Sequence, residues 1–265
     1  TPLYSSAASD VYKRQQFDEA FIFWDGLAPV RIGMKWGYID KTGKMAIEPQ
    51  SYFAYGFSEG LSQRYINKKF GFIDKTGKIV IEPQFDGTEG FREGLARVGI
   101  GVKYGYIDKT GKIVIKPQFD DASSFYEGLA FVSINKKYGY IDKTGKIVIK
   151  PQFTYAFVFR EGLAGVNIGG EHEHGLTNGG KWGYIDKTGK IVINPQFDGA
   201  DNFHDGLAAV KISNKWGYID KTGKMIIKPQ FGFPHQFTNG LAPVAIGNKW
   251  GYIEKTGKWI WSSTE

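Results

Sequence analysis

Cysteine is absent from this 265-residue chain, which excludes a disulfide framework, a thiol nucleophile and a zinc–cysteine site. Arginine is scarce: Arg14, Arg31, Arg64, Arg92, Arg97 and Arg160 are the full set, although the formal net charge is +7. The charge is carried mainly by lysines that recur at the same turn positions. Arginine is the usual reader of phosphates and base edges, so these lysines read as solvated turns that keep a β-rich array soluble. No specific nucleic-acid partner is expected. Long apolar runs are missing too; a stretch such as Ala20 to Trp24 is far below the roughly 20 residues of a membrane span, and no transmembrane helix is expected. No Ser-His-Asp, Cys-His or singular acid pair points to an enzyme, and no cofactor is implied. The Gly-Lys pairs of the recurring Lys-Thr-Gly-Lys turns do not form a phosphate loop, since Ile, Met or Trp appears where the loop requires Ser or Thr and its earlier glycine is absent.

What the chain does have is repetition. An aromatic-Gly pair recurs at Trp36-Gly37, Phe70-Gly71, Tyr104-Gly105, Tyr138-Gly139, Trp182-Gly183, Trp216-Gly217 and Trp250-Gly251, in steps of 34, 34, 34, 44, 34 and 34 residues. A fixed period of this length marks a tandem array in which each unit buries its apolar face against the next. The first fifteen residues do not fit the period. Ser5 to Gln15 resembles a translated sequencing-adapter remnant of an assembled metagenomic gene, so residues 1–15 are expected to be a non-native leader and 16–265 one repeat domain. Localisation stays unassigned, with a cell-surface or secreted setting slightly favoured.

Within one unit, Tyr104-Gly105-Tyr106-Ile107 is a β-prone run with its aromatics on one face. Gly105 lies on the other, where a missing side chain is expected to admit a neighbouring sheet. Asp108-Lys109-Thr110-Gly111 suits a type I turn closed by a left-handed glycine. Ile113-Val114-Ile115 is apolar on both faces, and Pro117 is expected to stop its ladder. After an irregular corner, Ala130, Val132 and Ile134 alternate as a half-buried strand. The fold expected is all-β: seven β-meanders of three strands, with a short fourth near the Phe125 position, stacked as a propeller-like ring or an open superhelical coil. The back of a unit at Gln16–Met34 and the front of one at Lys249–Trp261 invite a split unit joining first and last strands. The rings of Trp36, Trp182, Trp216 and Trp250 are expected to fill the space between sheets, over glycines of the kind at Gly37, Gly183, Gly217 and Gly251.

The run Lys181 to Ile193, Lys-Trp-Gly-Tyr-Ile-Asp-Lys-Thr-Gly-Lys-Ile-Val-Ile, resembles the bacterial WG-repeat (KWG-repeat) family, and the resemblance extends from Gln16 to Trp261. It implies a binding or interaction module without established catalytic residues. Phe70, Tyr104 and Tyr138 in place of Trp, Arg64 where other copies carry Val, and Glu254 for the turn Asp are local departures.

Candidate functional residues follow from what varies against this background. Corner and last-strand positions drift from copy to copy, and their aromatics Phe21, Tyr55, Tyr65, Phe131 and Phe157, with His235 at a corner, suit stacking on a sugar ring or anchoring a peptide. The partner class is protein, with a bacterial surface glycan as the alternative. A hydrolase-type site in a funnel is the remaining one. The ten-residue insertion at 169–179 forms a longer exposed hairpin in which His172 and His174 are a weak metal pair. Asp25, Glu59, Glu93, Glu127, Glu161 and Asp205 precede glycine in six copies; they suit backbone N–H acceptors at the corner, or, less simply, a carboxylate circle around a cation.

Overall fold

Strands occupy nearly the whole chain, because period-two apolar patterning recurs between turns closed by glycine. A computed structural model describes residues 16–173 and 176–262. The expected leader, 1–15, and His174 lie outside the described residues. Among the described residues there is no helix, and the strands form seven antiparallel sheets in chain order, six of four strands and one of three. The fold is therefore all-β with tandem repeats, as the patterning implies.

The chain divides into two compact units between Pro117 and Gln118. In the first, one sheet holds Glu19–Ala20, Leu27–Ile32, Lys35–Asp40 and Met45–Ser51. A second holds Leu61–Ile66, Lys69–Asp74 and Ile79–Phe85. The third begins with Gly87–Thr88 and continues through Leu95–Ile100 and Lys103–Asp108 to Ile113–Phe119. The second unit holds sheets four to seven, which open on the short strands Asp121–Ala122, Tyr155–Ala156, Gly199–Ala200 and Phe233–Pro234. Each sheet comes from one consecutive stretch of chain. The split unit suggested by the sequence ends is not how the strands pair: Glu19–Ala20 lies on Leu27–Ile32, and Trp259–Ser262 lies on Lys249–Glu254. The short fourth strand lies near the Phe125 position as expected, at Asp121–Ala122 in that copy, and Phe125 itself is fully buried.

The turn reading holds in detail. Gly189 sits at φ +88°, its N–H bonds the Asp186 carbonyl at 2.9 Å, and the Asp186 carboxylate accepts from the Thr188 N–H at 2.9 Å and its hydroxyl at 2.6 Å. That side-chain bond to Thr188 is the main reason the Asp186 carboxyl lies below its ordinary pKa.

Two expectations about the strands are corrected. The proline does not end its strand: Ile191–Phe197 runs through Pro195. It sits at a bulge, for Trp182 pairs with Phe197 while Tyr184, two residues on, pairs with Ile193. A proline at a bulge removes no ladder bond. The bulge also explains the motif glycine. A side chain at Gly183 would meet the Ile193 carbonyl oxygen at 2.5 Å and the Pro195 nitrogen at 2.7 Å. The close neighbour is the paired strand Ile191–Phe197 of its own sheet, not another sheet.

The core lies in layers between consecutive sheets. Tyr140, Ile149 and Phe153 of the fourth sheet pack on Phe159, Ala164, Val166 and Ile185 of the fifth. The same positions recur between the fifth and sixth, and between the sixth and seventh. In the first unit the second and third sheets pack in this way, Phe72, Ile81 and Phe85 against Phe91, Ala96, Val98 and Ile107. The ring that fills these layers is the one two residues after the motif aromatic: Phe72, Tyr140, Tyr184 and Tyr218 are fully buried. Trp36 and Trp216 are only half-buried and Trp250 is 44% exposed, so the expectation of Trp rings buried between sheets is wrong for these copies. Trp182, at 7%, is the buried one. The glycine beside Trp216 is Gly199, on the short strand of its own sheet.

Candidate functional site

The buried tyrosines do more than fill space. Tyr140 donates its hydroxyl to the Phe157 carbonyl at 2.7 Å, Tyr184 to that of Asp201 at 2.8 Å, and Tyr218 to that of His235 at 2.8 Å. Tyr38 reaches the Tyr55 carbonyl at 2.9 Å. Each acceptor is the variable corner residue of the next sheet. Burial raises the pKa of Tyr140, Tyr184 and Tyr218 above the ordinary phenol value, so they remain neutral donors. The scaffold thus fixes the backbone at each corner and leaves the side chain free to vary.

Those corner side chains lie against the recurring aromatic. Phe21 stacks on Trp36 with centroids 5.1 Å apart and planes 4° from parallel, and Phe157 stacks on Trp182 at 4.5 Å and 17°. Tyr55 and Tyr65 contact Phe70 at 6.1 and 4.7 Å, Phe131 contacts Tyr138 at 5.6 Å, and His235 contacts Trp250 at 5.6 Å. All six candidate residues therefore share a face with the motif aromatic of their own sheet. The antiparallel register explains the last-strand positions, since Tyr65 is directly opposite Phe70, as Asn167 is opposite Trp182. Not every drifting position is open to a partner. Ser123, Ser133, Asn167, Ala209 and Ala245 are buried.

In the second unit the aromatics merge into one cluster. Tyr155 lies 6.2 Å from Phe131, 4.8 Å from Tyr138 and 5.9 Å from Phe157, and His172 stacks on it at 4.2 Å. Sequence reasoning missed Tyr155. It occupies the first position of the short strand, which other sheets fill with Glu19, Gly87, Asp121, Gly199 or Phe233, and the drift of that position from copy to copy was the available signal. The insertion places His172 here: Leu163–Glu173 and Leu176–Asp186 form the expected extended hairpin, with His172 opposite Thr177. Nδ1 of His172 is 2.8 Å from the Thr177 hydroxyl, and burial lowers the pKa of the imidazole. No cluster of three metal-ligating side chains occurs among the described residues. His174 lies outside them.

The corner carboxylates are acceptors of backbone N–H groups, but from the next sheet and not their own. Asp25 binds the Gly60 N–H at 2.7 Å and the Lys75 ammonium at 2.9 Å. Glu161 binds Gly206 at 3.1 Å and Lys221 at 3.0 Å, and Asp205 binds Gly240 at 2.6 Å and Lys255 at 2.7 Å. The turn lysines in these copies are therefore paired as well as solvated.

The first and second sheets meet differently. Where other copies bury Phe85, Phe119, Phe153, Phe197 and Phe231, the first sheet has Ser51. The Ala and Val of the following strand become Ser62 and Arg64. The second sheet is also the one with three strands. A cleft of 660 Å³ opens there, lined by Lys35, Gln50, Ser51, Tyr52, Phe53, Arg64, Tyr65, Ile66 and Asn67.

Comparison with solved structures places this architecture in the propeller-like repeat class. A eukaryotic initiation factor superposes with a TM-score of 0.59 at 11% identity, covering 93% of this chain and 78% of that one. The dihydro-heme d1 dehydrogenase NirN superposes at 0.55 and 12% identity, covering 93% and 66%. Hsv2p of Kluyveromyces lactis does so at 0.54 and 9%, covering 93% and 96%. At such identities the likeness is one of fold alone. No curated protein matches the sequence. The family described as "WG containing repeat" matches residues 36–69, 70–103, 104–138, 138–171, 182–216 and 216–250, and the chain belongs to that family.

Proposed function

We propose that this chain is a non-enzymatic binding module that recognises a protein partner through the face shared by the motif aromatics and the variable corner residues. The observation that carries the reading is the coupling of an unchanging frame to a changing side chain. Tyr140 holds the Phe157 backbone while the Phe157 ring lies on Trp182, and in the next copies the same frame presents Asp201 and His235. Repeat proteins tailor a surface in this way, and clustered aromatics anchored by packing are the usual centre of a protein interface. A surface glycan is the second reading, favoured by the flat Phe21–Trp36 pair, whose outer ring is 57% exposed. An acid–base enzyme finds less support, because the lining of the cleft between the first and second sheets has no carboxylate and no imidazole.

The test replaces Phe21, Phe131, Phe157 and His235 with Ala and compares the variant with native protein in affinity capture and on a glycan array. The expected result is a folded variant that has lost its captured protein. Loss confined to glycan spots makes the second reading the correct one. A folded variant that keeps every partner would falsify both.

A further inference from the structure

The cleft between the first and second sheets is a singular feature in a repeated molecule, and three substitutions create it together. Ser51 leaves out a ring that five other copies bury, and Ser62 and Arg64 replace the Ala and Val that other sheets press into the same layer. The layer here retains Leu27, Tyr38, Ile47, Phe57 and Ile73. Ser62 is satisfied within the protein, bonding the Tyr55 carbonyl at 2.8 Å and lying 3.3 Å from the Tyr38 hydroxyl. Arg64, two residues on and so on the same face of the strand, has no hydrogen-bond or ion-pair partner among the described residues. Burial lowers its pKa, yet a guanidinium stays charged at any ordinary pH. A half-buried guanidinium without a counter-charge is an uncompensated cost that an anion would remove.

The rest of the lining agrees in sign and shape. Lys35 is the second cation, its ammonium 3.3 Å from the centroid of the Tyr52 ring, and no acidic residue lines the cleft. Tyr52 and Phe53 are 63% and 56% exposed, at the two positions where the next copy carries Asp86 and Gly87. A cleft of 660 Å³ falls within the usual range for small-molecule sites, about 300–1,000 Å³. Flat apolar walls with cations and no acid select a ring that bears a negative group, and a planar fork suits a carboxylate best.

We propose that this cleft binds a small aromatic carboxylate, with the carboxylate on Arg64 and the ring against Tyr52 and Phe53. The cleft shares Tyr65 with the corner-residue face, but none of Phe21, Phe131, Phe157 or His235, the residues whose replacement tests that face, lines it, so the two readings fail separately.

Naphthoate serves as the probe, with naphthamide as its neutral counterpart and naphthyl phosphate as the competing anion, all titrated by calorimetry into the full chain. Arg64→Val and Ser51→Phe are the test variants. Both restore the residue other copies carry, so both are expected to melt at or above the native temperature. The expected result is saturable binding of naphthoate to native protein. Binding should weaken at least tenfold in Arg64→Val, in Ser51→Phe, and on exchange of naphthoate for naphthamide. No saturable naphthoate binding, equal affinity for the amide, tighter binding of the phosphate, or unchanged binding in either variant overturns the assignment. A variant that melts below native is replaced by Arg64→Gln, which keeps a polar group in the cleft, removes the charge and carries the same expectation.

Discussion

At the residue scale, the motif glycine is a steric requirement imposed by one backbone on another. A methyl group at Gly183 would lie 2.5 Å from the Ile193 carbonyl oxygen and 2.7 Å from the Pro195 nitrogen. Backbone atoms in a bulge cannot swing aside as a side chain can, so the paired strand Ile191–Phe197 must shift. Gly183→Ala is therefore expected to destabilise the protein by about 2–3 kcal/mol, the upper part of the usual range for overpacking. Gly87, with ordinary φ and no atom within 4 Å of an added Cβ, is the control; Gly87→Ala should change stability by less than about 0.5 kcal/mol. Urea denaturation of the two variants decides, and similar midpoints would refute the steric account. That the glycine needs close approach was legible in the sequence. The identity of the approaching strand was not, because periodicity reports which face a residue takes but not a bulge in the strand paired with it. The same limit governs the aromatics. Spacing placed Trp216 and Tyr218 on one face, but depth along that face depends on the neighbouring sheet, which buries Tyr218 and leaves Trp216 half-buried.

At the scale of the element, what joins one sheet to the next at its edge is the carboxylate that holds a glycine N–H and a turn lysine of the following sheet. The corner residues of these joints take left-handed backbone, Glu161 at φ +52° and Asp205 at +56°, a conformation disfavoured without local compensation. Lys255, Gly240 and the resulting charge field hold the Asp205 carboxyl below its ordinary pKa. For Glu161, burial pushes upward, and Lys221 and the Gly206 N–H outweigh it, so the net shift is also downward. A carboxylate with a depressed folded pKa contributes stability above its unfolded pKa and loses it as pH falls through the folded value. The urea midpoint should then be level from pH 7 down to about pH 5 and decline below about pH 4. In the double variant Glu161→Gln, Asp205→Asn, the midpoint should be lower at neutral pH and the acid decline shallower. Both joints are exposed and screened by solvent, so the comparison is between curve shapes. Parallel curves for variant and native protein would remove these joints from the account of stability. The sequence marked the acidic residue before glycine as a backbone acceptor, but its partner is 35 residues away for Asp25 and 45 for Glu161. A reading confined to one unit could not reach it.

At the scale of the whole molecule, a tandem array is stabilised by nearest-neighbour layers, so its resistance to opening is set locally by the composition of each layer. Six four-stranded sheets and full apolar layers are what a repeated sequence yields by default. The departures at Ser51, Ser62 and Arg64 concentrate in one layer, where polar groups replace a ring and two aliphatic side chains and the sheet loses its short fourth strand. The seventh sheet is the comparison for the first, since its layer keeps Phe231, Phe237, Ala242 and Val244. Amide exchange is therefore expected to be faster in Leu27–Ile32 and Lys35–Asp40 of the first sheet than in Leu241–Ile246 and Lys249–Glu254 of the seventh. The triple variant Ser51→Phe, Ser62→Ala, Arg64→Val restores the layer found elsewhere and should slow exchange in the first sheet at least tenfold, a change of about 1.4 kcal/mol in opening free energy, without altering the seventh. Mass-spectrometric exchange on native and triple-variant protein separates the alternatives: equal protection of the two sheets in native protein, or no gain in the variant, would mean that position along the chain, and not layer composition, sets the order of opening.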